Sequence, residues 1–371
     1  MPAKTRASKR SRDRAKSPPR GAAKRLPGNP FAALLETVRK EVDSRLAGLF
    51  DAKIDAAASR GPEVVDMVEA VRDLCLRGGK RLRAALVVAG YRAASGSADL
   101  EAALDAAVAI ELLHAYFLIH DDWMDDDAVR RGGPTVHTVL AERYGSKRLG
   151  NSCAILAGDY SLALATEALA RVDVPPERLP RAFAAFAEMQ SDAIAGQQRD
   201  VLARSPDAEM TYLLKTGSYT VAGPLRMGAI LAGGSESLAT AFDRFAIPAG
   251  IAFQIRDDLL SAFGDESVTG KPFANDIKMG KRTLVVEHAF RLAKGRELAA
   301  LRKAFGNARA SRKDLEAAVR VLQRSGAEKA AEDRTLELAR KAEEAILDMK
   351  VAKTGRALLS GALDALLERR S

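Results

Sequence analysis

From about residue 31 to the C-terminus, apolar residues return every three to four positions, the spacing of one face of an α-helix. Phe31, Leu34, Leu35 and Val38 open one such stripe, and Met67, Val68, Val71, Leu74 and Cys75 form another. The segment 102–127 reads as one long helix whose end passes from apolar to strongly acidic. Strand-type alternation is absent over any useful length, and no short-period repeat is present. Breaks fall at Gly132-Gly133-Pro134, Pro175-Pro176, Ser205-Pro206, Gly233-Gly234 and across 264–281. Pro248, just ahead of an apolar approach at 249–253, fits a first helical turn or a kink. The pattern predicts an all-α fold with one domain over 31–371.

Composition agrees with helices. Hydrophobic residues make up 47% of the 371 and aromatics only 5%, with Ala and Leu dominant, and these lose little side-chain entropy in a helix. Charge changes the picture at one end. Residues 1–26 carry ten Lys or Arg and a single acid, Asp13, which accounts for the whole formal charge of +9; the body is neutral. A neutral body is not a nucleic-acid-binding surface. The segment 1–30, with Pro18, Pro19, Pro27 and Pro30 and no apolar periodicity, is expected to be a disordered basic tail. Its expected role is solubilising or loosely tethering, with weak attraction to anionic membrane or nucleic acid as the alternative. It lacks the apolar stretch of a secretory signal. Cys75 and Cys153 lie far apart in apolar patterns and read as buried thiols in a reducing compartment. No uncharged apolar run approaches the ~20 residues that span a bilayer, so a soluble, cytoplasmic protein is expected.

Two acidic clusters carry the chemistry. In Asp121-Asp122-Trp123-Met124-Asp125, Asp121 and Asp125 are four apart and project from one helical face. Like charges there repel unless a cation bridges them, and acids at a helix C-terminus oppose the macrodipole. Carboxylates suit hard divalent ions, and Mg²⁺ bridges them to substrate phosphates. The second cluster, Gln254-Ile255-Arg256-Asp257-Asp258-Leu259-Leu260-Ser261, ends another apolar approach. Basic groups adjoin both. They are Lys80-Arg81-Leu82-Arg83 after Gly78-Gly79, Arg130-Arg131, Lys215-Thr216-Gly217, Lys271 and Lys281-Arg282. Arg forks and Lys point charges are the usual partners of phosphate. The combination points to Mg²⁺ and diphosphates sharing one cleft.

With these motifs in view, residues 31–371 resemble the trans-isoprenyl diphosphate synthases, the polyprenyl synthetase family. Gly78-Gly79-Lys80-Arg81-x-Arg83 is similar to its isopentenyl diphosphate motif. The run from Glu111 and His114 through His120-Asp121-Asp122-x-x-Asp125 to Arg130-Arg131 resembles its first aspartate-rich motif. Gly196-Gln197-x-x-Asp200, Lys215-Thr216-Gly217, Phe253-Gln254-x-x-Asp257-Asp258, Gly270-Lys271-Pro272 and Asp276-x-x-x-Gly280-Lys281-Arg282-Thr283 follow in the family's order.

The resemblance implies an isoprenoid-synthase helical bundle around a central cavity, about three Mg²⁺ ions and a homodimer. It implies metal at Asp121 and Asp125 with Asp122 in support, and at Asp257 with Asp258. Arg130, Lys215, Thr216, Gln254, Lys271 and Lys281 would grip an allylic diphosphate. Lys80, Arg83, His114 and Arg131 would hold isopentenyl diphosphate. Lys215, Thr216 and Gln254 would also face the allylic cation as the C–O bond breaks. The departing pyrophosphate would take the final proton. Helix geometry agrees for His114, seven residues before Asp121 and so nearly on its face.

Position 261 departs from the pattern, being Ser where the family usually has a third Asp. The spacing Asp257, Ser261, Asp265 also resembles the second metal motif of class I terpene cyclases, although a cyclase does not need the Lys80/Arg83 site. A catalytically silent subunit of a heteromeric synthase is the other alternative. Tyr116 and Phe117, five and four residues before Asp121, are expected to floor the apolar pocket and set product length. By resemblance, aromatics at both positions go with a farnesyl (C15) product. Geranylgeranyl (C20) is the main competitor, and C10 is possible.

Overall fold

The computed structural model describes residues 28–204, 207–263 and 273–368. The basic segment 1–27, Ser205-Pro206 and the 264–272 stretch with Asp265 and Lys271 lie outside them. The chain opens with α1 (Pro30–Ala58), α2 (Pro62–Leu76), α3 (Leu82–Ser95) and α4 (Glu101–Met124). A two-residue hairpin, β1 (Val129–Arg130) against β2 (Gly133–Pro134), precedes α5 (Val136–Arg143) and α6 (Lys147–Ala170). Then come α7 (Leu179–Leu202) and a continuous helical stretch made of α8 (Ala208–Tyr212), a π-helical segment (Leu213–Ala222) and α9 (Gly223–Leu231). The long α10 (Glu236–Phe263) follows, and helices at Asn275–Met279, Leu284–Leu292, Gly295–Ala304, Arg312–Arg324, Ala327–Asp348 and Lys353–Leu367 complete the described chain.

The helices start where local chemistry says they should. Asn29 accepts from the Phe31 and Ala32 N–H groups, with Pro30 at the first helical position. Ser311 and Asp314 form a reciprocal capping box. Pro248 lies inside α10 rather than in a first turn. The predicted break across 264–281 contains a short helix, Asn275–Met279, among its described residues.

α4 sits at the centre, packed on α3 and α6, while α10 packs on the π-helical segment and on Ala327–Asp348. Leu112, Leu113, Ile110 and Ile119 of α4 are essentially inaccessible, and full burial of such side chains contributes ~1.5–3 kcal/mol each. By length and composition α4 and α6 could each cross a membrane, but 72% of the apolar window of α4 is enclosed by other helices. For α6 the figure is 39%, with Leu149 and Leu156 exposed beside Ser152 and Asp159. At Gly250 a Cβ would come within 2.5 Å of the Gly217 Cα. Only glycine lets α10 lie this close to the π-helical segment.

Candidate active site

The first acidic motif closes α4. The helix stops at Met124, three residues short of the expected end, because Asp126 adopts a left-handed φ of +53°. Asp125 is the cap, and its N–H still bonds the Asp121 carbonyl at 2.9 Å, so Asp121 and Asp125 keep a common face. Asp126 turns outward to Lys147. The hairpin then doubles back, held by Arg77 Nη1 donating to the Pro134 and Arg130 carbonyls at 2.7 and 3.2 Å. This aims Arg130 at the motif it follows.

α10 brings the second motif opposite the first. Asp121, Asp125, Asp257, Asp258 and Ser261 all line one cavity of about 700 Å³. Asp200 from α7 and Asp276 join them. Two lysines span the gap between the acids. Lys215 Nζ lies 2.7 Å from Asp200 and 3.4 Å from Asp121, and Lys281 Nζ lies 2.9 Å from Asp125. Burial alone would pull both ammonium groups down, but the facing carboxylates outweigh it and hold them charged. Burial pushes Asp121 up, and Lys215, Lys281 and Arg130 overcome that and keep it ionised.

Along the cavity wall a relay of hydrogen bonds fixes the polar groups. The Thr216 hydroxyl donates to Gln254 Oε1 at 2.7 Å, and Gln254 Nε2 donates to Asp258 at 2.9 Å. Tyr212 donates to the same carboxylate while its oxygen accepts from the Leu284 N–H at 2.6 Å. Burial, with Asp276 nearby, pushes Asp258 up to about 7. Asp258 is thus bonded to both Gln254 and Tyr212 while also lining the cavity.

A second cavity of about 390 Å³ abuts the first and is lined by Tyr116, Phe117, Leu118, Met124, Ile194, Val201 and Tyr219 among others. Asp121, Lys215, Thr216 and Gln254 line both cavities. A polar chamber and a more apolar one thus meet at these four side chains.

The expected isopentenyl diphosphate group is only partly assembled. Arg83 and His114 are together, with Arg83 Nη1 3.2 Å from His114 Nε2. Arg131 lines the larger cavity, under the glycine turn. A Cβ on Gly79, whose φ is +154°, would fall about 3.0 Å from the Arg131 guanidinium. Lys80 is exposed and lines neither cavity. Arg81, between the two cationic candidates, is 3% exposed and structural, pairing with Asp43 and Glu111 and donating to the Cys75 carbonyl.

Two further expectations change. Asp122, expected to support the metal, is 1% exposed and lines neither cavity; it pairs with Arg130. Arg130 lines the polar cavity, yet its Nε and Nη2 are taken by Asp122. Ser261 Oγ is buried and has no hydrogen-bond partner among the described residues, as expected of a hydroxyl standing where a carboxylate would reach into the cavity. The motifs around Gln197, Asp200, Asp276 and Arg282 were legible, but their contacts were not: Gln197 Nε2 donates to Asp121 at 2.8 Å. Tyr212 and Tyr219 carried no motif signal at all.

The donor set fits a hard divalent ion. Among the described residues no three acidic, histidine or cysteine side chains converge into a ready-made cage. That accords with Mg²⁺, which prefers one or two carboxylates plus substrate phosphates. Charge points the same way. Among the described residues seven acids and six bases line the polar cavity, and these by themselves offer an incoming diphosphate no net positive field unless divalent ions enter with it.

The sequence model of the family described as polyprenyl synthetase matches residues 65–322. The geranylfarnesyl diphosphate synthase of Aeropyrum pernix is 36% identical over 302 residues, covering 79% of this chain and 91% of that one. The geranylgeranyl diphosphate synthase of Methanosarcina mazei is 36% identical over 299 residues, 79% of this chain and 86% of its own. The geranylgeranyl pyrophosphate synthase of Corynebacterium glutamicum, solved with isoprenyl diphosphate and magnesium, superposes with a TM-score of 0.84 at 34% identity over 92% of this chain and 99% of that one. The chain belongs to the polyprenyl synthetase family, as an all-helical, Mg²⁺-dependent prenyltransferase of the short-chain group.

Proposed function

We propose that this enzyme condenses isopentenyl diphosphate with allylic diphosphates and delivers mainly the C20 product, geranylgeranyl diphosphate. The observation that carries the reading is the junction of the polar and apolar cavities at Asp121, Lys215, Thr216 and Gln254. A diphosphate on one side and its hydrocarbon on the other would place the scissile C–O bond there. About three Mg²⁺ ions would be held by Asp121, Asp125 and Asp257. When bound, they neutralise charge on the diphosphate leaving group. Lys215 and Lys281 would exchange their carboxylates for diphosphate oxygens, with Lys271 as a further candidate. Thr216 and Gln254, locked by the Asp258 relay, present oxygen dipoles toward the allylic carbon. Arg83, His114 and Arg131, with Lys80 at the entrance, would hold isopentenyl diphosphate alongside. The aromatic and aliphatic lining keeps water from the cation.

Product length follows from the apolar cavity. Tyr116 and Phe117 do border it, with ring centroids 4.8 Å apart. Ile194, Val201 and Met124 share the lining, so the wall of the cavity is not made by the two rings alone. The geranylgeranyl names of two relatives favour C20 over the C15 product that the two aromatics suggested. The test is incubation with Mg²⁺, isopentenyl diphosphate and C5, C10 or C15 allylic diphosphates, with products resolved by length. C20 is expected from each, and no consumption of isopentenyl diphosphate would overturn the assignment. The double change Phe117→Ala, Tyr116→Ala is expected to lengthen the product by at least one isoprene unit; an unchanged distribution would remove the rings from the floor.

A homodimer would cover Leu149 and Leu156, which are exposed on α6, and the two free cysteines suit a cytoplasmic setting. Residues 31–371 are proposed to act as one catalytic domain.

A further inference from the structure

Tyr219 lies in the π-helical segment, 4% exposed, three residues beyond Thr216. Its ring lies 4.6 Å from the Arg83 guanidinium and meets Phe117 edge-on at 4.8 Å. Its hydroxyl is 3.1 Å from His114 Nδ1. On its other side the same imidazole faces Arg83, whose Nη2 also donates to Thr220 Oγ1 at 2.7 Å.

These contacts determine where the imidazole proton resides. A guanidinium can only donate, so His114 Nε2 must offer its lone pair to Arg83. Burial, with Arg83 and Arg131 adding repulsion, keeps the ring neutral. The one remaining proton is then on Nδ1 and is donated to the Tyr219 oxygen. Without that oxygen the Nδ1–H loses its acceptor among the described residues, and the hold on the ring and on Arg83 is loosened.

We propose that Tyr219 is a positioning residue for isopentenyl diphosphate: its hydroxyl oxygen fixes His114 as the Nδ1–H tautomer, and its ring seats Arg83. The inference rests on the reading that Arg83 and His114 hold that substrate.

Tyr219→Phe tests it, because the ring stays against Arg83 and Phe117 and only the oxygen is lost. KM for isopentenyl diphosphate is expected to rise about tenfold, as for a buried donor left unpaired. KM for the allylic partner should stay within about twofold, since among the described residues the Tyr219 hydroxyl bonds none of the proposed allylic diphosphate ligands and the ring itself is kept. The chain has four histidines, so ¹⁵N NMR of labelled protein can assign His114 by its loss in His114→Gln. The wild type should show Nδ1–H, and Tyr219→Phe a mixture of tautomers or an unbonded N–H. An Nε2–H tautomer in the wild type overturns the proposal, as does a Tyr219→Phe spectrum and isopentenyl KM that both match wild type. If the enzyme consumes no isopentenyl diphosphate, the functional reading fails, and the wild-type spectrum still decides whether Tyr219 sets the tautomer.

Discussion

Asp121→Asn is expected to lower turnover roughly 10²–10³-fold while leaving the fold intact, the scale seen when one preorganised charge-stabilising group is removed from an active site. Asp121 is where three cationic or polar partners converge: Gln197 at 2.8 Å, Lys215 at 3.4 Å and Arg130 at 3.7 Å. The amide keeps the size and can still accept from Gln197. What it cannot do is hold a divalent ion against diphosphate. The resting contacts add a second consequence. Lys215 and Lys281 occupy the carboxylates as internal counter-ions, so an ion arriving alone competes with both. An ion arriving with diphosphate gives the lysines somewhere better to go. Mn²⁺ used as a probe should therefore bind the wild type weakly alone and more tightly with pyrophosphate, and Asp121→Asn should lose most of that gain. Incorporation of labelled isopentenyl units measures the first effect. A loss of less than tenfold would show that Asp121 is not a metal ligand.

Much of this site was legible because its residues repeat at spacings that a helix converts into a common face. Asp121 with Asp125, and His114 seven residues before Asp121, are of this kind. So are Gln254 and Asp258, which bond at i and i+4. What could not be read depends on contacts between segments. Lys80, Arg81 and Arg83 look alike as a string. Only the packing of α1, α3 and α4 turns Arg81 inward to Asp43 and Glu111 and leaves Lys80 outside. Asp121 and Asp122 look alike too, until the hairpin returns Arg130 to hydrogen-bond Asp122 and stand 3.7 Å from Asp121. The π-helical segment has no local signature, since the extra residue in its turns is accommodated by tertiary contact with α10. Its hidden geometry is what brings Tyr219 beside His114. The aromatic letters at 116 and 117 likewise give no hint of the Ile194 and Val201 side chains that α7 brings to the same cavity.

Arg130→Met is expected to destabilise the magnesium-free protein by ~3–5 kcal/mol at pH 8, the usual cost of leaving one member of a buried pair without its partner. Asp122 is 1% exposed, and its Oδ2 has no hydrogen-bond partner among the described residues. Oδ1 takes both Arg130 bonds, one of them at 2.6 Å. Even with Arg130 present, burial raises Asp122 to about 6. Without Arg130 its folded value must climb further, while the unfolded value stays near ~3.9. The folded variant then binds a proton that the unfolded chain has released, so its stability falls as pH rises through that window. The deficit should accordingly be small at about pH 5, where Asp122 can protonate, and complete by about pH 8. Asp122→Asn combined with Arg130→Met should recover most of the loss, because the double variant buries no charge. Urea unfolding at the two pH values reads all of this. A single variant within ~1 kcal/mol of wild type at pH 8, the range of an exposed pair, would mean that Asp122 carries no buried charge for Arg130 to neutralise.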